Sequence, residues 1–326
     1  MGLGKGRVKG SSGRQPAPGR MPAGAAAAPC RGRSWARRSA GWRSSMSPST
    51  ALLLLVVAAA AGAAAGARIL AVLPHAGRSH HLVFEPLLLE LQRRGHDLTV
   101  LSHFPSGGYT RELDLRGTMP VLDSVLPLGV LQSLNPFTDY MTIARIGHDS
   151  CEPILTLPAV RALLASNETF DLVLDEAFNT DCFLGFAHRF GAPLVSLSSS
   201  VLMPWAGARV GNPLNPALQP NLFLWFTDAM TLWERVLNAA YTALVNVVKA
   251  LHWDRLAQRV ADRNFGPGLP PLRQLARNAS LLLVNAHFSV NLPLAEVPGV
   301  VEVGGLHIPD YARTLPKVNV CLFDPR

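Results

Sequence analysis

From residue 68 onward the chain alternates short, unbroken apolar runs with longer stretches of helical apolar spacing. Residues 68–74 (RILAVLP) are almost wholly apolar and end at a proline, which predicts a strand buried on both faces. A loop is predicted at 75–79. Residues 82–93 (LVFEPLLLELQR) place apolar side chains at helical spacing and stop before Gly95, and 97–103 (DLTVLSH) predict a second strand. Strand, helix, glycine and strand in this succession make a βαβ unit. Further strands are predicted at 120–126, 171–175, 193–199, 281–285 and 299–303, with helices at 155–165 and 181–190. Residues 222–262 are one long helix-like stretch with Trp225, Trp233 and Trp253 and no Pro or Gly. That stretch predicts a core-packing helical pair, or else a surface that lies on a membrane or lines an apolar pocket. The alternation as a whole predicts an α/β fold: a Rossmann-like, doubly wound parallel sheet.

Ahead of this pattern the composition changes. Residues 1–45 are Gly, Ala, Pro, Ser and Arg with few large aliphatics, and predict a disordered basic leader. Met46 is followed by a polar stretch, an apolar run from Ala51 and the small-residue end Ala65-Gly66-Ala67. This predicts a cleaved signal peptide over 46–67, with Met46 as the start; the run is short and Ala-rich for a membrane-spanning anchor. Across all 326 residues, 48% are hydrophobic and 16% charged, a core-forming composition. The net charge of +8 would point to a nucleic-acid partner, but ten of the 30 basic residues lie in the leader. Residues 68–326 hold 20 basic and 22 acidic residues, a net of −2, so no nucleic-acid partner is expected. Two N-glycosylation sequons, at Asn167 and Asn278, agree with export. With Cys30 set aside, Cys151, Cys182 and Cys321 remain; Cys151 and Cys182 predict either a disulfide or two buried thiols. No C-x-x-C pair is present, so no metal site is expected.

In doubly wound sheets ligands sit outside the carboxyl ends of the strands, so residues just after each strand carry the chemistry. No G-x-G-x-x-G follows the first strand, and no P-loop, H-E-x-x-H or G-x-S-x-G motif occurs. Ser198-Ser199-Ser200 follows a strand but lacks the flanking glycines of a nucleophile elbow. After the first strand comes Arg78-Ser79-His80-His81, directly before a helix whose dipole favours a neutral, basic imidazole. Adjacent residues face different ways, so one of the two histidines at most points into a cleft. The strand at 171–175 runs into Asp175, Glu176 and Asp181. One of these could reach a histidine and make a general-base pair, or Asp181 and Thr180 could simply cap a helix.

These segments resemble the secretory-pathway UDP-glycosyltransferases. The resemblance rests on PHAGRSHH with LVFEPLLLELQRRGHDLTVLSHFP, FDLVLDEAFNTDCFLGFAHRFGAPLVSLSSS, MPW at 203–205, GNPLNP at 211–216, MTLWERVLN at 230–238 and EVGGLHI at 302–308. The pattern is most similar to insect members and runs from Arg68 to Lys317. It implies the N-terminal half, over 68–317, of a GT-B enzyme of two Rossmann-like domains. This half binds a small lipophilic acceptor, for which the apolar stretches 201–205 and 222–233 are suited. The resemblance implies His80 as general base, Glu176 or Asp181 as its carboxylate partner, and Ser79, His81, Phe178 and Asn179 as acceptor contacts. It implies inverting transfer of glucose or glucuronic acid from a UDP-sugar, a co-substrate, with no cofactor or metal. Residence in the endoplasmic reticulum lumen or membrane follows, with membrane-surface contact and a homo-oligomer as further expectations. The UDP-binding half does not follow Lys317, and 318–326 (VNVCLFDPR) do not resemble the family. The chain is therefore expected to be inactive alone; the alternative is a non-catalytic short form that binds lipophilic ligands or pairs with full-length relatives.

Overall fold

The computed structural model describes residues 66–120, 135–291 and 293–308. The leader, most of the signal segment, the strand expected at 120–126 from residue 121 on, Cys321 and the 318–326 tail lie outside the described residues.

Seven strands form one parallel sheet: β1 Arg68–Leu73, β2 Asp97–Ser102, β3 Arg111–Asp114, β4 Leu172–Glu176, β5 Leu194–Ser198, β6 Ala279–Val284 and β7 Val300–Glu302. Their order is β3-β2-β1-β4-β5-β6-β7, and every pairing is parallel. The alternation of side chains along β1 explains why its run is apolar throughout. Ile69, Ala71 and Leu73 pack against Val83, Phe84 and Leu88 of helix α1 (Arg78–Arg93) on one face. Leu70 and Val72 pack on the other face against helices α2 (Pro136–Leu155) and α3 (Pro158–Ala165). Both faces are covered, as the doubly wound expectation requires.

Several elements differ from their predicted bounds. α1 begins at Arg78, inside the predicted loop, so His80 and His81 sit in its first turn. Pro86 lies within α1 without ending it. β3 has only one buried residue of four, an edge-strand pattern too polar to stand out in the sequence. The helix predicted at 155–165 is the end of α2 plus α3, with a break at Thr156 and Leu157. α2 starts from a capping box in which the Asn135 side chain accepts from the backbone N–H of Thr138. The element at 181–190 is a 3₁₀ turn, Cys182–Leu184, followed by α4, Gly185–Phe190.

The long stretch at 222–262 is helical only from residue 232. It comprises α5 (Leu232–Val248), a π-helical turn (Lys249–Trp253) and α6 (Asp254–Phe265), while α7 (Leu272–Ala276) leads into β6. The Thr231–Glu234 capping box sets the start of α5. Cys151 and Cys182 are joined in a disulfide that ties α2 to the turn after β4. Among the described residues no helix is long and apolar enough to cross a membrane.

Candidate active site

The strand order reverses at β1, which has β2 on one side and β4 on the other. Such a reversal opens a crevice at the carboxyl edge. The loops after β1 and β4 flank it, because β1 and β4 run level, with Val72 opposite Asp175. α1 starts directly after the β1 loop, so its first turn leans over the end of β4.

There His80 Nδ1 lies 2.5 Å from Glu176 Oε1. Ser199 Oγ is 2.7 Å from the same Nδ1 and donates to Glu176 Oε1 at 3.1 Å. In the β4–β5 register Glu176 is opposite Leu197, and two residues further the chain delivers Ser199 to the carboxylate. The rings of His75 and Phe178 pack on His80 with centroids at 4.0 and 4.5 Å. The carboxylate is sealed while the imidazole reaches outward: their side chains are 3% and 18% exposed. Burial acts to raise the Glu176 pKa, but the bond and charge of His80, with His75 and Ser199, hold it below the ordinary carboxylate range. His75 is pushed down to about 4, first by burial and then by the neighbouring His80.

The two adjacent histidines diverge as their positions on a helix require. His81 is buried, with Nδ1 3.0 Å from Ser102 Oγ at the end of β2, and burial lowers its pKa. Ser79 is exposed in the same turn. Asn179 does not face His80 through a hydrogen bond; its side-chain amide donates to the Ile143 carbonyl of α2 at 3.1 Å. Gly147 permits that approach, since a Cβ there would lie 2.6 Å from Asn179 Cγ.

The structure brings Glu176, not Asp181, to His80. Asp181 belongs to a separate buried ion network. Arg209 donates to Asp175 Oδ2 and Ser196 Oγ, each at 2.7 Å, and to Asp181. Lys249 Nζ donates to Asp181 Oδ2 at 2.8 Å and to Asp254. Burial alone would raise the Asp181 pKa; Lys249 and Arg209 reverse it and hold the carboxylate ionised. Neither Arg209, in a 3₁₀ turn, nor Lys249, in the π-helical turn, is singled out by the sequence. Ser199 stands in the sequence only as part of a serine run without the glycines of a nucleophile elbow; the register of neighbouring parallel strands is the signal that finds it.

Beside this crevice an apolar cavity of 260 Å³ is lined by Val201, Leu202 and Met203 from the β5 loop and by Leu222, Leu224 and Phe226. The two apolar stretches noted in the sequence thus meet in one cavity. Its wall begins two residues beyond Ser199, and His80 is not among its lining residues. Among the described residues no cluster of three His, Cys, Asp or Glu could hold a metal. Asn167, between α3 and β4, and Asn278, just before β6, are both exposed.

The family model described as UDP-glucoronosyl and UDP-glucosyl transferase matches residues 128–318. UDP-glucosyltransferase 2 of Dactylopius coccus is 33% identical over 249 residues, covering 74% of this chain and 48% of that protein. An ecdysteroid UDP-glucosyltransferase of Mamestra brassicae nuclear polyhedrosis virus is 28% identical and covers 82% of this chain and 54% of its own length. The chain thus spans about half the length of these relatives. A solved structure, the glycotransferase of kitacinnamycin, aligns at a TM-score of 0.41 and 15% identity over 77% of this chain and 53% of that one.

Proposed function

Because the chain belongs to the UDP-glucoronosyl and UDP-glucosyl transferase family, we infer that it is the acceptor-binding part of an inverting, GT-B hexosyltransferase. The observation that carries this reading is the His80–Glu176 contact at the switch point of the sheet. Glu176 holds Nδ1–H of His80, fixing the tautomer that leaves Nε2 free to accept a proton. An acceptor hydroxyl gives its proton to Nε2 as its oxygen attacks the anomeric carbon of a UDP-hexose. The bond from that carbon to the UDP oxygen breaks, UDP leaves with the electron pair, and configuration inverts. The buried carboxylate then stabilises the imidazolium.

The acceptor is a small lipophilic molecule whose apolar body occupies the cavity lined by Val201, Leu202, Leu222 and Phe226. Phe178, packed on His80, and Ser79, exposed in the same turn, contact the acceptor in this reading, while the buried His81 is engaged with Ser102 and the Asn179 amide with the Ile143 carbonyl. Glucose or glucuronic acid is the transferred hexose, and the endoplasmic reticulum the place of action. The test is His80→Ala in a chain extended to the full length of the relatives. Loss of about 10²–10⁴-fold in transfer is expected; turnover at the parental rate removes His80 from the mechanism.

A further inference from the structure

Helix α2 sets Tyr140, Ala144 and His148 on one face, each four residues from the next. That face packs against α6 and the π-helical turn before it, which present Ala257 and Trp253. The two alanines leave room between the helices, and the loop after β4 closes it with Asp181. The result is a cavity of about 10 Å³, the volume that one water molecule requires. Tyr140 is wholly buried, yet its hydroxyl has no hydrogen-bond partner among the described residues. Nor do His148 Nδ1 and Trp253 Nε1, both sealed from solvent. Six buried side-chain polar atoms are unpartnered among the described residues, and three of the six belong to residues that line this one cavity. Buried polar atoms are rarely left unpaired, so three in one place point to a bound molecule rather than to three separate defects.

We propose that one water molecule binds here and bridges Tyr140, His148 and Trp253. The walls select a neutral occupant. Asp181 and Asp254 line the cavity against an anion, and Lys249, which donates to both, stands against a cation. Trp253 Nε1 only donates, so the occupant must accept, which a metal or ammonium ion does not. Burial lowers the pKa of His148, so its neutral ring offers a donor at one nitrogen and an acceptor at the other. Water meets Nδ1 in either role, and the Tyr140 hydroxyl likewise. Bound there, it joins α2 to the π-helical turn beside Asp181. It also gives that turn a use. The i→i+5 spacing of a π-turn brings Lys249 and Asp254 together as an ion pair on the side that carries Trp253. The loop that closes the cavity runs back to Phe178, which packs on His80, so the water steadies the far end of the segment that walls the base.

The site is independent of glycosyl transfer and is tested on the full chain without it. Tyr140→Phe removes only a hydroxyl, so circular dichroism should match the parent. With the water in place the change takes away one of its partners, and the unfolding equilibrium constant from urea titration should rise about two- to tenfold. Without the water, the same change deletes a costly unpaired group, and stability holds or improves. A direct bond from Tyr140 to a protein group would give the same loss as a bound water, so a crystal structure of the parent separates the two. A single water is expected about 2.7–3.2 Å from both Tyr140 Oη and Trp253 Nε1. A soak in bromide should leave no anomalous peak there. Stability unchanged or raised in Tyr140→Phe overturns the proposal. So does a refined structure with no water between these atoms, and so does a bromide peak, since the cavity then holds an anion.

Discussion

At the scale of single residues, the site separates three carboxylates that the sequence leaves equivalent. Asp175 and Glu176 end β4 and Asp181 follows it, yet among the described residues only Glu176 of the three meets an imidazole. Asp175 and Asp181 are claimed by Arg209, a residue with no sequence signal to pair it with them. Arg209→Met is therefore expected to leave two buried carboxylates short of a cation. Breaking a buried pair in this way costs about 3–5 kcal/mol, readable as a shift in urea midpoint. Ser199 reaches His80 and Glu176 together, which in the proposed mechanism makes it a positioning residue. Ser199→Ala should slow transfer in the extended enzyme by about three- to tenfold, the worth of one hydrogen bond. It should also move the acid limb of the pH–rate profile upward, as Glu176 loses a donor. An unchanged profile would make Ser199 a spectator.

At the scale of elements, the strands were the most legible part of the sequence, and for a physical reason. Strands covered on both faces are continuous apolar runs, so β1, β2, β4, β5 and β6 stand out without any knowledge of their partners. β3 did not, because an edge strand with one buried position has no such run. Helix ends are less legible where backbone geometry sets them: the residue capping the start of α1, Gly77, has no side chain to form a capping bond. The pairing of His80 with Glu176 joins residues 96 apart in sequence. Local spacing could nominate both but could not choose Glu176 over Asp181, since the choice depends on where Arg209 and Lys249 arrive. The cysteines posed the same problem, and the fold resolves it by placing their Cα atoms 6.2 Å apart. Cys151→Ser/Cys182→Ser opens a loop of 31 residues. In the chain-entropy account this costs about 3–4 kcal/mol, measurable against the oxidised parent by denaturant titration.

At the scale of the whole molecule, burial sets the response to acid. His75, His81, His103 and His148 all have pKa values lowered first by burial. Each is neutral in the fold and free to take a proton once unfolded at ordinary histidine pKa. The unfolded chain thus binds more protons as pH falls below about 6.5, and stability is lost from there down to the folded values, about 4 for His75. Glu176 continues the loss at lower pH, because its folded pKa is depressed and its contribution disappears as it protonates. The melting temperature should therefore fall between pH 7 and pH 5, and His75→Gln should flatten that slope; a parent equally stable at both values would contradict the account. The strand order also has a consequence for synthesis. β1 is made first yet ends in the interior of the sheet, and its second neighbour, β4, begins at Leu172. A ribosome adding about 5–20 residues per second leaves the hydrogen-bonding edge of β1 open for roughly 5–20 s. Through that interval the nascent chain presents an unpaired apolar strand. Translation in a system depleted of chaperones is therefore expected to lower the yield of folded protein.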